Sequence, residues 1–184
     1  NRALIIKALS SDSFNIENLS EANDTLLLEN ALKTKDGEIN VQDAGTAFRF
    51  LTSYLSVTEG QFILTGSQRM KQRPIGDLVD ALRKLGAKIE YLDKENKPPL
   101  KIIGTTIEGG EVKIKGSTSS QFISSLLMIA PKLKKGLKLI VEDRLVSKPY
   151  IEMTLEILTY FGIKHSWKNN VIKIEKQEFK AQNI

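Results

Sequence analysis

The sequence predicts an α/β fold of three repeated units, each ordered helix, strand, helix, strands, with low-charge helices enclosed by outward-facing sheets. The first observation is a pair of apolar runs with few charges, at residues 45–56 and 119–131, each opened by small polar residues. Runs of this kind form helices that are buried on most sides. The second observation is a pair of amphipathic runs at residues 75–87 and 150–163, which follow at matching distances.

The two longer units correspond to each other along the chain. Thr46 and Ser120, at the starts of the apolar runs, lie 74 residues apart, and Pro74 and Pro149, before the amphipathic runs, lie 75 apart. An offset this steady indicates an internal repeat. Both prolines are expected in the first turn of the helix that follows.

The amphipathic helices are expected to end at Gly86 and Gly162, because glycine readily terminates a helix. The β-strands are expected between and after the helices of each unit. Their predicted ranges are 61–66, 88–92, 99–104, 109–116, 137–143, 164–167 and 171–176.

A third, shorter copy of the unit is predicted in the N-terminal part of the chain. Residues 1–10 match the apolar helix, and residues 20–37 match the amphipathic helix, which is expected to end at Gly37. Strands are expected at residues 14–19 and 38–41. Since the apolar pattern is already under way at Asn1, we expect this single domain, residues 1–184, to be part of a longer protein.

Composition limits the chemistry that the chain can perform. It contains no Cys, which excludes disulfides, a cysteine nucleophile and Cys-ligated zinc, and its one His, His165, leaves little for other metal chemistry. The net charge of +5 favours anionic partners. Scattered basic residues and 7% aromatics do not favour nucleic-acid binding. Without a membrane-length apolar run or a signal-peptide pattern, we expect no membrane association and a cytoplasmic location.

Three predicted helix starts carry the features of an anion-binding site. Equivalent ends of repeated units lie on the same side of a domain, and each offers free backbone N–H groups and a positive dipole end. Five of the six arginines lie on the apolar helices or in loops that precede helices, where their guanidinium groups suit phosphate and carboxylate. These are Arg2, Arg49, Arg69, Arg73 and Arg144.

Each feature also has a purely structural explanation. A Ser or Thr before a helix is usually a cap. Arg49 is explained at least as well by pairing with Asp43 or another internal carboxylate as by contact with a ligand. Arg69 and Arg73 serve equally well as surface residues or structural pins, so the residues alone leave these alternatives open.

Four stretches carry a more specific resemblance, namely "DAGTAFR", "LTGSQRMKQRPIGDLVDALRKLGA", "STSSQFISSLLMIAP" and "SKPYIEMTL". Together they resemble the N-terminal domain of the EPSP synthase (3-phosphoshikimate 1-carboxyvinyltransferase) family, in order and through nearly the whole chain. The resemblance implies half of a two-domain, monomeric enzyme whose domains each contain three βαβαββ units. It implies transfer of the enolpyruvyl group of phosphoenolpyruvate to shikimate 3-phosphate, in aromatic amino acid biosynthesis, without metal or organic cofactor.

The resemblance also implies two sets of ligand contacts, and it assigns no catalytic residue to this domain. Shikimate 3-phosphate is expected to contact Arg2, Ser119, Ser120, Gln121, Ser147 and Tyr150. Phosphoenolpyruvate is expected to contact Gly45, Arg73 and Gln121, and Arg73 is preferred to Arg69 because the family's Arg directly precedes the Pro.

Two departures from the family qualify this expectation. Asp43 stands where the family usually has Asn, and a carboxylate there repels phosphoenolpyruvate unless it is turned away or paired with Arg49. The family's Lys-Ser pair before the position of Asn1, and the acid–base groups of its other domain, lie outside this chain. We therefore expect the chain alone to show no turnover and only weak substrate binding, because proton transfer needs groups within hydrogen-bond reach.

Two other functions are considered. The sister family, UDP-N-acetylglucosamine enolpyruvyl transferase, shares the fold but usually depends on a loop Cys, and this chain has none. Tight binding of the nucleotide sugar would favour it. A non-catalytic anion-binding or nucleic-acid-binding module would show steeply salt-dependent binding to oligonucleotides.

Overall fold

The computed structural model describes residues 1–184 and has six α-helices and two four-stranded sheets. The N-terminal part consists of helices α1 (Arg2–Leu9) and α2 (Asn23–Leu32). Unit A follows, with β1 (Gly37–Asn40), α3 (Gly45–Val57), β2 (Gly60–Thr65), α4 (Gly76–Lys84), β3 (Lys88–Tyr91) and β4 (Leu100–Gly104). Unit B has β5 (Gly110–Lys115), α5 (Ser120–Ile129), β6 (Leu137–Glu142), α6 (Lys148–Tyr160), β7 (Ser166–Lys168) and β8 (Val171–Ile174).

The sheets of units A and B have the same topology. Their strand orders are β1-β2-β4-β3 and β5-β6-β8-β7. In each sheet the first two strands are parallel, and the remaining pairs are antiparallel. The parallel pair is joined through the apolar helix, as a parallel connection requires. The predicted α/β class is confirmed, and the βαβαββ order occurs twice.

The predicted strand at residues 14–19 is absent. The segment pairs through its backbone with Ile184 alone. The Ile184 N–H donates to the Asn15 carbonyl, and the Glu17 N–H donates to the Ile184 carbonyl. The predicted strand at 38–41 exists as β1, but it pairs with β2 and so belongs to unit A. The shorter copy therefore contributes helices without a sheet of its own.

Helix α2 ends before the predicted Gly37. The N–H groups of Lys33 and Thr34 donate to the carbonyls three residues earlier, which closes the helix with a tighter turn. Gly37 instead opens β1 with a φ of 97°. In α4 and α6 the predicted stops are correct, since Gly86 and Gly162 have φ of 105° and 80°.

Helices α3 and α5 form the centre of the core. Every residue of α5 from Phe122 to Ile129 is buried, and most of α3 is buried as well. The strands alternate, as in β5, where Val112 and Ile114 are buried and Lys113 between them is exposed. Helices α3 and α5 pack against each other, and their N-termini open at the same side of the domain, since residues from both starts line one cavity.

Pro149 lies in the first turn of α6, as predicted, whereas Pro74 lies two residues before α4 begins at Gly76. Ile75 takes the N-cap position between them. No helix combines the length and the apolar character needed to cross a membrane.

Candidate anion-binding site

An open cavity of about 560 Å³ lies at the N-termini of α1, α3 and α5. Three arginines line it, and none of the lining residues is acidic. Helix N-termini add partial positive charge to that of the guanidinium groups. The lining residues are Asn1, Arg2, Thr46, Arg49, Phe50, Arg73, Ser119, Ser120, Gln121 and Tyr150.

Arg49 projects from α3 into this cavity without a carboxylate partner. Its Nη1 donates to Gln121 Oε1 at 2.5 Å, and its Cζ lies 5.5 Å from the centre of the Phe122 ring. Burial, and secondarily the charge of Arg73, lower the pKa of Arg49 to about 10. Burial therefore disfavours the positive charge of Arg49, and a bound anion would offset that cost.

Asp43 does not neutralise Arg49, so the explanation by pairing is wrong. The Asp43 carboxylate accepts a hydrogen bond of 2.5 Å from the Ser67 hydroxyl, and Asp43 does not line the cavity. The Asp43 carboxylate, which stands where the family usually has Asn, is therefore held by the loop that contains Ser67.

The start of α5 combines capping with exposure to the cavity. Ser119 is the N-cap, and its Oγ accepts a hydrogen bond of 3.3 Å from the Gln121 N–H. The Gln121 Nε2 donates to Thr46 Oγ1 at 2.9 Å, which ties α5 to the start of α3. Capping by Ser119 and a position in the cavity wall therefore coexist.

Gly45 makes room for the guanidinium of Arg73. A Cβ atom built on Gly45 would lie 2.1 Å from Arg73 Nη1 and 2.9 Å from Cζ. The absence of a side chain thus lets Arg73 lie against the first turn of α3. Gly45 itself lines a small recess beside the main cavity, together with Arg49 and Arg73. Arg69 is exposed and lines neither.

Arg2 is the first residue of α1 and contacts side chains of α3, α5 and α6. Its Nε donates to Thr154 Oγ1 at 2.8 Å, and its Cζ lies 5.5 Å from the centre of the Phe50 ring. Burial lowers the pKa of Arg2. Tyr150 of α6 lines the same cavity with a half-exposed ring.

Six of the eight predicted contact residues line the cavity, and Gly45 adjoins it. Ser147, the N-cap residue of α6, does not line it. Four other lining residues were not among the predicted contacts, namely Asn1, Thr46, Arg49 and Phe50. Thr46 was detectable as the residue after Gly45 at a helix start, whereas nothing in the local sequence marks Phe50.

The described residues include no group of three or more His, Cys, Asp or Glu side chains placed to hold a metal ion. Chemically, the cavity offers fixed positive charge, helix N-termini and hydroxyl and amide groups. These groups bind small anions that also carry hydroxyls.

Together, the fold and the site define a βαβαββ-repeat domain that gathers arginines and helix starts around one open cavity. The chain belongs to the EPSP synthase (3-phosphoshikimate 1-carboxyvinyltransferase) family, whose model matches residues 28–183. The resemblance inferred from the motifs is thereby confirmed.

Individual relatives support this assignment. The chain is 50% identical over 170 residues to the 3-phosphoshikimate 1-carboxyvinyltransferase of Bacteroides fragilis (strain YCH46), covering 92% of this chain and 42% of the relative. It is 44% identical over 190 residues to that of Sulfurovum sp. (strain NBC37-1), covering 89% and 44%. The chain thus spans less than half the length of these curated relatives.

A solved EPSP synthase from Acinetobacter baumannii has the same fold. It aligns with a TM-score of 0.84 and covers all of this chain and 46% of the other. Its sequence identity of 18% means that this likeness shows the fold alone.

Proposed function

We propose that this chain is the N-terminal domain of a two-domain enzyme that transfers the enolpyruvyl group of phosphoenolpyruvate to the 5-hydroxyl of shikimate 3-phosphate. The chain belongs to this family, and one observation supports the proposal most directly. Three arginines, Arg2, Arg49 and Arg73, surround one cavity without a carboxylate in its wall. Two anionic substrates repel each other, and fixed cations offset that repulsion.

In the proposed complex, Arg2 binds the phosphate of shikimate 3-phosphate, while Ser119 and Ser120 add hydroxyl contacts at the start of α5. Tyr150 covers the same ligand from α6, and Ser147 makes a further contact if the start of α6 moves toward the cavity. Short polar groups at a helix start bind phosphate and hydroxyl oxygens well.

Phosphoenolpyruvate is proposed to lie beside it, against the backbone of Gly45 and the guanidinium of Arg73. Gln121 reaches both ligands, because its amide already bridges Thr46 and Arg49 across the cavity wall. Carbon 3 of phosphoenolpyruvate is protonated, and the 5-hydroxyl loses its proton and adds at carbon 2, which gives a tetrahedral intermediate. Inorganic phosphate then leaves carbon 2 while carbon 3 loses a proton, which restores the double bond of the transferred enolpyruvyl group. The arginines stabilise charge that develops on the phosphate as it leaves.

The groups that move protons are proposed to belong to the other domain, so this chain alone is expected to bind substrates weakly and not to turn over. The same proposal includes a monomeric, cytoplasmic enzyme that needs no metal or organic cofactor. A turnover assay on the 184-residue chain tests the first point, and appreciable activity would contradict it.

Calorimetric titration of shikimate 3-phosphate into the chain tests the substrate. We expect Arg2→Lys to weaken binding about tenfold, because lysine lacks the planar fork that holds phosphate through two bonds. Arg69→Lys is the matched control, since Arg69 is exposed outside the cavity, and it is expected to bind as the unmodified chain does. Tighter binding of UDP-N-acetylglucosamine than of shikimate 3-phosphate would refute the proposal.

A further inference from the structure

Two buried hydroxyl groups lie directly beneath Arg2. Ser124 of α5 and Thr154 of α6 are fully buried, and their oxygens are 2.8 Å apart. A buried hydroxyl is costly unless it is hydrogen-bonded. Here the Arg2 Nε donates to Thr154 Oγ1 at 2.8 Å, and Nη2 lies 3.5 Å from Ser124 Oγ. The hydroxyl pair therefore joins α1 to both α5 and α6 through one arginine.

The hydrogen bonds at Thr154 have a defined direction. Its hydroxyl donates to the Tyr150 carbonyl at 2.8 Å, so its single proton is used within α6. Its lone pairs are left to accept from Arg2 and Ser124. Arg2 thus turns its Nε and Nη2 edge toward the helices, where Nη2 also lies 3.4 Å from the Tyr150 carbonyl, and Nη1 is left for the cavity.

The fold itself does not require a hydroxyl at this position. The offset of 76 residues that relates the helix stops Gly86 and Gly162 also relates Leu78 of α4 to Thr154 of α6. Leu78 is apolar and fully buried. Unit A therefore packs its amphipathic helix with an apolar side chain where unit B uses a hydroxyl that contacts Arg2.

We propose that Thr154, assisted by Ser124, is a positioning residue that orients the Arg2 guanidinium toward an anionic ligand in the cavity. A carboxylate in the same place would fix Arg2 equally well but would cancel much of its charge. Neutral hydroxyls fix the guanidinium and leave its charge for the ligand, which reduces the ordering cost of binding. The identity of the ligand, shikimate 3-phosphate, rests on the proposed function.

Three variants of the 184-residue chain separate this role from core packing. Thr154→Val keeps the shape and removes the acceptor, while Thr154→Ser keeps the acceptor. Thr52→Val is the matched control, because Thr52 is equally buried in α3 and its hydroxyl donates only to the Phe48 carbonyl, at 2.8 Å.

The first measurement is hydrogen exchange of the Arg2 Nε–H, followed by side-chain NMR. We expect Thr154→Val to accelerate this exchange about tenfold, because the hydrogen bond to the threonine oxygen is lost. Thr154→Ser and Thr52→Val are expected to stay within about twofold of the unmodified chain. Arg83, whose Nε donates to the Ile89 carbonyl at 3.0 Å, is the internal reference. Unchanged Arg2 exchange in Thr154→Val, or equal acceleration at Arg83, would overturn the inference.

The second measurement is the dissociation constant for shikimate 3-phosphate. It is expected to rise about tenfold in Thr154→Val and to stay near the unmodified value in Thr154→Ser. Faster Arg2 exchange with unchanged affinity would overturn the role in ligand binding. If the unmodified chain binds no shikimate 3-phosphate, the proposed substrate fails, and the exchange comparison still decides whether Thr154 holds Arg2.

Discussion

Replacing Gly45 by alanine is expected to displace the guanidinium of Arg73, a proposed phosphoenolpyruvate contact, without damaging the fold. The new Cβ would lie 2.1 Å from Arg73 Nη1, and the atoms it meets are the flexible end of that side chain. Since Gly45 begins α3 and is not at a positive φ, alanine suits its backbone. We expect the free energy of unfolding to stay level or to rise by up to about 1 kcal/mol, from the better helix propensity of alanine.

The loss of binding follows from the distance. Ordinary van der Waals contact begins at 3.4 Å, so the Arg73 guanidinium must withdraw by about 1.3 Å. A charge-assisted hydrogen bond of about 2.8 Å that is stretched by this amount no longer acts as one. Hydrogen bonds to charged groups contribute about 1.5–3 kcal/mol. The affinity for phosphoenolpyruvate is therefore expected to fall roughly 10- to 150-fold.

Calorimetry with phosphoenolpyruvate and thermal unfolding measure the two effects separately. A double-mutant cycle with Arg73→Ala provides the control, because Gly45→Ala should add nothing once the Arg73 guanidinium has been removed. Wild-type affinity in Gly45→Ala, or two effects that simply add, would refute the reasoning that Gly45 acts by making room for Arg73.

Three further predictions concern stability. The Ser53 hydroxyl donates to the Ser125 hydroxyl at 2.9 Å in the core. In urea unfolding, Ser125→Ala should lower the free energy of unfolding by about 1–3 kcal/mol because it leaves that donor without a partner, and Ser53→Ala should lower it by less than about 1 kcal/mol. Equal costs would contradict this. Arg49→Met should keep or raise the thermal midpoint, because it removes a buried charge that burial disfavours; a lower midpoint would count against it. Hydrogen bonds from lysines hold the pKa of Glu108 and Glu111 below the usual 4.5. The stabilisation that these two carboxylates contribute should therefore be present above pH 4.5 and lost as the pH falls below it. Urea unfolding at pH 5 and pH 3 checks this, and equal stability at both would contradict it.

Local patterns predicted the two full units because each element carries its own signal. Gly86 and Gly162 ended their helices as expected, since a positive φ is a property of single residues. The segment at 14–19 was misjudged because a strand needs a partner, and its apolar character says nothing about which chain segment pairs with it. Its single backbone partner in register is Ile184, at the far end of the sequence.

The site was predictable where a motif and a helix start coincide, as at Ser119, Ser120 and Gln121. The partner of Arg49 was not, because the choice between Asp43 and Gln121 depends on how α3 packs against α5. The hydroxyl pair of Ser124 and Thr154 was equally hidden, since its partner Arg2 is distant in sequence and only the packing of three helices brings them together.

Shikimate 3-phosphate is the proposed ligand of the cavity at the starts of α1, α3 and α5. The most direct measurement is a titration of that ligand into the chain, followed by residue-resolved NMR. We expect the largest shifts on Arg2, on residues 119–121 and on Tyr150, with no comparable change among the lysines of β8 and β6. Shifts centred on those sheet lysines, or spread evenly over the basic surface, would contradict it.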